Sequence, residues 1–128
     1  MSLLLDTVTF LWQIGDSPRL SDTVRAAFRD ATREIFLSAA SSWEITVKHH
    51  LGKLPLPRRP EDFVPEMRER LSVQSLAIDE GSTLQVTKLP DLHRDPFDRI
   101  LVCQAIQHGL TIATPDQRLR QYPVRCLW

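Results

Sequence analysis

Cysteine and glycine are scarce in this chain, tyrosine occurs once, and neither sign of charge is in excess. The two cysteines, Cys103 and Cys126, sit in apolar surroundings without the paired spacings of zinc or redox motifs, which argues against a disulfide scaffold or a thiolate metal site. They read as free, buried thiols in a reducing compartment. Lys plus Arg number 16 and Asp plus Glu 16, so the overall field would not by itself draw in a polyanion. Long hydrophobic runs are missing too. The apolar opening MSLLLDTVTFLW has no basic leader and is interrupted by Asp6, so neither an export signal nor a membrane span is expected. Internal repeats and low-complexity tracts are absent, which leaves no basis for a solenoid or a linker. The expectation is one cytoplasmic domain over residues 1–128, long enough to bury a core unaided.

The balanced charge is unevenly distributed. Lys48, His49, His50, Lys53, Arg58 and Arg59 form one cationic stretch, and Arg118, Arg120 and Arg125 a second, so a basic rim around an acidic centre is compatible with zero net charge. Short apolar runs alternate with stretches of helical periodicity, the pattern of an α/β fold: a mostly parallel sheet of about five short strands with helices on both faces. Strands are predicted near Leu3 to Leu5, Ile35 to Leu37, Val73 to Ile78, Thr111 to Ala113 and Val124 to Leu127. Helices are predicted over Val8 to Ile14, Ser21 to Thr32, Ser42 to Leu51, Pro60 to Leu71, Gly81 to Lys88 and Pro96 to His108, with a short turn from Gln117. Pro55, Pro57 and Pro60 make a stiff connector that could pack on the domain or project from it. Trp43 reads as core, Trp12 as core or contact surface, and Trp128 as packing for the terminus.

Ligands of open parallel sheets gather beyond the carboxyl ends of the strands, where loops and helix N-termini converge. Asp6 directly follows the first strand and Asp116 lies just past TIA, so both emerge on that edge. Glu44 lies in a helix that opens after the second strand, and its ordinary role would be an exposed ion pair with Lys48. Asp95 and Asp98 start a helix at Asp95-Pro96, where Asp95 serves as N-cap. Asp98 falls on the stripe of Leu101, Val102 and Ala105, where an unpaired carboxylate would be unfavourable. Singly, each acid has an ordinary explanation. Together they repel and raise one another's pKa unless positive charge compensates, and no Lys or Arg is obligatorily placed among them. Oxygen donors suit a hard divalent cation, Mg²⁺ with Mn²⁺ as substitute, and such a site suits hydrolysis of a phosphodiester by a metal-activated water. Thr7 and Thr114 could hold ligands or waters, Thr7 being equally a helix cap. The four histidines have ordinary solvent or turn positions and none is assigned to metal.

The segments LLLDT (3 to 7), SAASSWEITVKHHLGKL (38 to 54), HRDPFDRILVCQA (93 to 105) and TPD (114 to 116) resemble the PIN-domain family, specifically the VapC-type toxins of bacterial toxin-antitoxin modules. Each motif alone is weak, but the series runs in order over almost the whole chain. The resemblance implies a PIN fold, a Mg²⁺- or Mn²⁺-dependent endoribonuclease, a homodimer, and inhibition by a small VapB-like antitoxin. It carries Asp6, Glu44, Asp98 and Asp116 onto the family's metal-binding, catalytic positions, with Asp95 a neighbour. After Asp6-Thr7 related sequences often have His, whereas position 8 is Val. The helix bearing Trp43 and the connector through Pro57 are expected to form part of the antitoxin surface.

Other classes predict other signatures. A phosphoacceptor receiver domain wants an acidic pair after the first strand and an acceptor Asp after the third, but Asp6 stands with Thr7 and Asp79 with Glu80 at a helix start. A haloacid-dehalogenase-like phosphatase would show a second Asp two residues after Asp6, where Val8 stands. A PIN fold that binds partners without catalysis has the intact acids against it.

Overall fold

The computed structural model describes residues 1–128. Strands β1 (Leu3–Leu5), β2 (Ile35–Ser38) and β4 (Thr111–Ala113) are covered on both faces, which is why they read as continuous apolar runs rather than alternating ones. Strands β3 (Gln74–Leu76) and β5 (Cys126–Leu127) close the two edges. The order is β3-β2-β1-β4-β5 and every pairing is parallel. This order excludes the receiver-domain alternative, whose sheet runs 2-1-3-4-5. Asp79 has instead a capping role: its carboxylate accepts from the Ser82 amide and hydroxyl, at 3.1 and 2.6 Å, at the start of α5 (Glu80–Leu84).

The remaining helices are α1 (Thr7–Ile14), α2 (Asp22–Arg29), α3 (Ala39–His50), α4 (Pro60–Leu71) and α6 (Pro96–His108), with single 3-10 turns at Val86–Lys88 and Leu119–Gln121. The helix expected over Gly81 to Lys88 is α5 followed by a separate 3-10 turn, the strands expected over Val73 to Ile78 and Val124 to Leu127 are shorter, and two further boundaries differ for local reasons. Helix α2 stops at Arg29 because Asp30 captures the Thr32 amide and hydroxyl in a turn. Helix α3 begins at Ala39 rather than Ser42, since the Ser38 hydroxyl caps it by accepting from the Ala40 amide at 3.0 Å. Helix α6 ends at Gly109, whose left-handed φ of 66° a β-carbon would oppose.

Period-two alternation splits the core into two layers. Leu3, Leu5, Ile35 and Leu37 face one way and pack with Phe10, Val24, Ile45, Phe63 and Met67 from α1 to α4. Leu4 and Ile112 face the other way, against Leu101, Val102, Leu119 and Tyr122. Leu54 and Leu56 tuck against the first layer, so the proline connector packs on the domain. Trp12 and Trp128 meet at 5.9 Å between ring centroids. Trp43, by contrast, is not core: it is 63% exposed and touches Phe97 edge-on at 5.4 Å. It occupies a position of α3 that turns away from the sheet, and its indole rests on the first turn of α6.

Leu5 pairs with both Leu37 and Ala113. One residue further on, Asp6, Ser38 and Thr114 therefore stand in a row at the carboxyl edge of the three central strands. No helix is long and apolar enough to cross a membrane.

Candidate metal centre

Asp6 caps α1 from the end of β1. Its Oδ1 accepts from the Thr9 amide at 2.9 Å and its Oδ2 from the Thr114 hydroxyl at 2.5 Å. The Thr9 hydroxyl donates to the Ala113 carbonyl, tying α1 to β4, so the Asp6 rotamer is fixed from both sides. Thr114 also accepts from the Asp116 amide at 3.0 Å. A single hydroxyl thus links the acid after β1 to the acid after β4. Asp6 is buried, and burial is the main reason that its carboxyl is pushed up to about 6; the hydrogen bonds from Thr114 and Thr9 oppose the rise and the charge of Asp98 adds to it.

Glu44 is buried in the second turn of α3, not in an exposed pair. The Thr7 hydroxyl donates to its Oε1 at 2.6 Å and lies 3.0 Å from the Ser41 hydroxyl. Thr7 is thus the first helical residue, Asp6 taking the cap, and its hydroxyl orients Glu44. Lys48, one turn on, reaches Oε2 at 2.5 Å, and this hydrogen bond is the main cause of its raised pKa.

Asp98 sits at the start of α6, after the Asp95 cap and Pro96. Its half-buried carboxyl is pushed up, first by desolvation, then by the charges of Asp95 and Asp116, against a hydrogen bond from His93. Asp116 is the more open acid. Desolvation pushes it up, but the Arg118 side chain and amide hydrogen bonds, with the guanidinium charge, outweigh that and hold it low. Repulsion among the acids is therefore real but smaller than desolvation. Two cations do stand at the flanks, Lys48 beside Glu44 as its helical spacing allowed and Arg118 beside Asp116, while Asp6 and Asp98 are paired with neither.

The side chain at the acid cluster that the sequence reading left unassigned is His93. Its Nε2 lies 2.8 Å from Asp98 Oδ2, and one ligand atom each from His93, Asp98 and Asp116 lie within 4.8 Å of one another. It opens the motif HRDPFDRILVCQA, but its position in a turn, outside helical spacing from Asp98, gave no local reason to place it at the cluster. The other histidines are elsewhere: His49 bonds the Leu54 carbonyl and His108 bonds Asp79. Asp95 keeps its capping role toward the Phe97 amide, at 2.9 Å. The donor set at this edge consists of carboxylates, hydroxyls and one imidazole, in a desolvated cluster short of positive charge, which fits a divalent cation.

A family model described as PIN domain matches residues 3–124. The chain is 36% identical over 118 residues to Ribonuclease VapC16 of Mycobacterium tuberculosis, covering 86% of this chain and 77% of that protein. It is 26% identical over 122 residues to Ribonuclease VapC22 of the same organism, covering 94% and 92%. Among solved structures it is similar to a chain in VapBC2 from Rickettsia felis bound to a promoter DNA fragment, with a TM-score of 0.73 at 14% identity and coverage of 99% and 98%.

Proposed function

The chain belongs to the PIN-domain family, and from that premise we propose that it is the toxin of a type II toxin-antitoxin pair, an endoribonuclease that cleaves RNA with a divalent metal held by Asp6, Glu44, Asp98 and Asp116. One observation supports the metal assignment: the acids that follow β1 and β4 and those on α3 and α6 lie toward one edge of the sheet, where Asp98 and Asp116 come within ligand range of one another with His93 while Asp6 and Glu44 stand outside that group, and the two that burial desolvates, Asp6 and Asp98, have no Lys or Arg partner. Such a cluster is stabilised by a cation of charge two more than by protonation at neutral pH.

Mg²⁺ or Mn²⁺, when bound, supplies an acidified water and offsets charge on the phosphate. The chain's own groups do the rest. Asp6, locked by Thr9 and Thr114, offers a carboxylate that needs no reorganisation. Thr7 holds Glu44 through one oxygen and leaves the other to Lys48. Lys48 and Arg118 give the acid cluster a cationic rim, which suits a substrate whose phosphates must approach carboxylates despite a net charge of zero.

Two partners follow from the same reading. The VapBC neighbours support a small VapB-like antitoxin as partner, and we take a homodimer as the toxin's working form. Trp43, exposed beside Phe97, supports a contact surface on α3. The lack of a membrane-spanning helix is compatible with action on cytoplasmic RNA.

The test is cleavage of total cellular RNA by antitoxin-free protein with Mg²⁺ or Mn²⁺, beside an EDTA control and Asp98→Asn. Discrete fragments that vanish in both controls are the expected result. Intact RNA from a folded, metal-replete wild type would favour a binding module without catalysis.

A further inference from the structure

His93 is held over the acid cluster by a dedicated arrangement. The chain between the Val86–Lys88 turn and α6 has no regular structure, yet Arg99 fastens it. The Arg99 guanidinium forms no ion pair and instead reaches carbonyl oxygens of this segment: Nη2 lies 3.2 Å from that of Val86, and Nη1 lies 3.3 and 3.2 Å from those of Pro90 and His93. The Tyr122 hydroxyl, itself 3.2 Å from Arg99 Nη1, donates to the same His93 carbonyl at 3.3 Å. An arginine satisfied by carbonyls and a buried tyrosine therefore fix the backbone from which the imidazole projects. The side chain is only 10% exposed, and it packs on a carboxylate rather than on the hydrophobic core.

The distances have a coordination meaning. Two ligands at right angles on one ion, each at about 2.1 Å, stand about 3 Å apart. His93 Nε2 and Asp98 Oδ2 share a hydrogen bond at 2.8 Å, a separation close to that of two such ligands, and Asp116 completes a group within 4.8 Å. Resting on the metal-dependent reading above, we infer that His93 is a nitrogen ligand of the divalent ion held by Asp98 and Asp116, and that it shifts the site's preference from Mg²⁺ toward Mn²⁺. Coordination uses the neutral ring with its proton on Nδ1, Nε2 turning its lone pair to the ion. Mg²⁺ favours oxygen donors and retained water, so an imidazole benefits it little. Mn²⁺ accepts carboxylates equally well and stands in the series whose affinity for nitrogen donors exceeds that of Mg²⁺.

The purified full chain loaded with Mn²⁺ and measured by pulsed electron paramagnetic resonance tests this directly. The wild type should show modulation from a directly bound imidazole nitrogen, and His93→Gln should lose it. His93→Gln should also bind Mn²⁺ about tenfold more weakly while its Mg²⁺ affinity, read by competition, stays within about twofold. Bound Mn²⁺ without nitrogen modulation in the wild type would overturn the assignment of His93 and leave the acidic site standing, whether or not the variant folds. Equal weakening of both metals would overturn the selectivity. Failure of the wild type to bind Mn²⁺ at all would instead refute the metal-dependent reading.

Discussion

Removing the charge of Asp6 should stabilise the metal-free protein while abolishing its activity. The Asp6 carboxyl is pushed from an ordinary value of 3.8 to about 6, chiefly by burial. A folded pKa above the unfolded one means that the folded chain holds the proton more tightly. The associated stability is fully present below about pH 4 and is lost as pH rises through 6. At pH 7.5 the ionised group then destabilises the fold by about 3 kcal/mol, and at pH 4.5 by about 1 kcal/mol. Asp6→Asn keeps the shape and can still accept from the Thr9 amide. Its amide group would face Thr114 as a donor, so the hydroxyl loses its acceptor, a loss of about 1 kcal/mol. The net gain is about 2 kcal/mol at pH 7.5 and near zero at pH 4.5. For a chain of this length that is a rise in Tm of about 5 to 10 °C at the higher pH. Thermal unfolding of both proteins by circular dichroism in EDTA at the two pH values reads it. A variant no more stable than the wild type at pH 7.5, or one with the same offset at both pH values, would refute the reasoning. With Mn²⁺ the order should reverse, because only the wild type keeps its full set of ligands.

Thr114→Val removes the hydroxyl that donates to Asp6 and accepts from the Asp116 amide; it should lower stability by about 2 kcal/mol at pH 7.5, and by clearly less in an Asp6→Asn background, as a double-mutant cycle in urea would show. Gly109→Ala places a β-carbon at a left-handed helix terminus with open space around it, so the loss is conformational, about 1 kcal/mol or about 4 °C by calorimetry, with RNA cleavage unchanged at 25 °C.

The α/β class, the number of strands, and the edge on which Asp6 and Asp116 emerge were legible in the sequence, because they follow from local rules. A buried parallel strand is mostly apolar, a proline or capping residue opens a helix, and residues just past neighbouring strands in register share an edge. The motif series LLLDT, SSWEI, HRDPFD and TPD carried the family for the same reason: each stretch combines an element boundary with an acid. Only the tertiary structure decided what each side chain meets. Glu44 and Lys48 looked like a surface pair at helical spacing, but the neighbouring α1 buries Glu44 and sets Thr7 on it. Trp43 had the composition of core and faces solvent, since burial depends on which side of α3 the sheet occupies. His93 stood in a recognised motif, but its place over Asp98 was not legible, because it is set by Arg99 and Tyr122, whose contacts with its carbonyl no local period encodes. Propensity and periodicity act over a few residues along the chain. The pKa of Asp6, the cations beside Glu44 and Asp116, and the imidazole at the acid cluster are set by distances between elements, which exist only once the sheet has assembled.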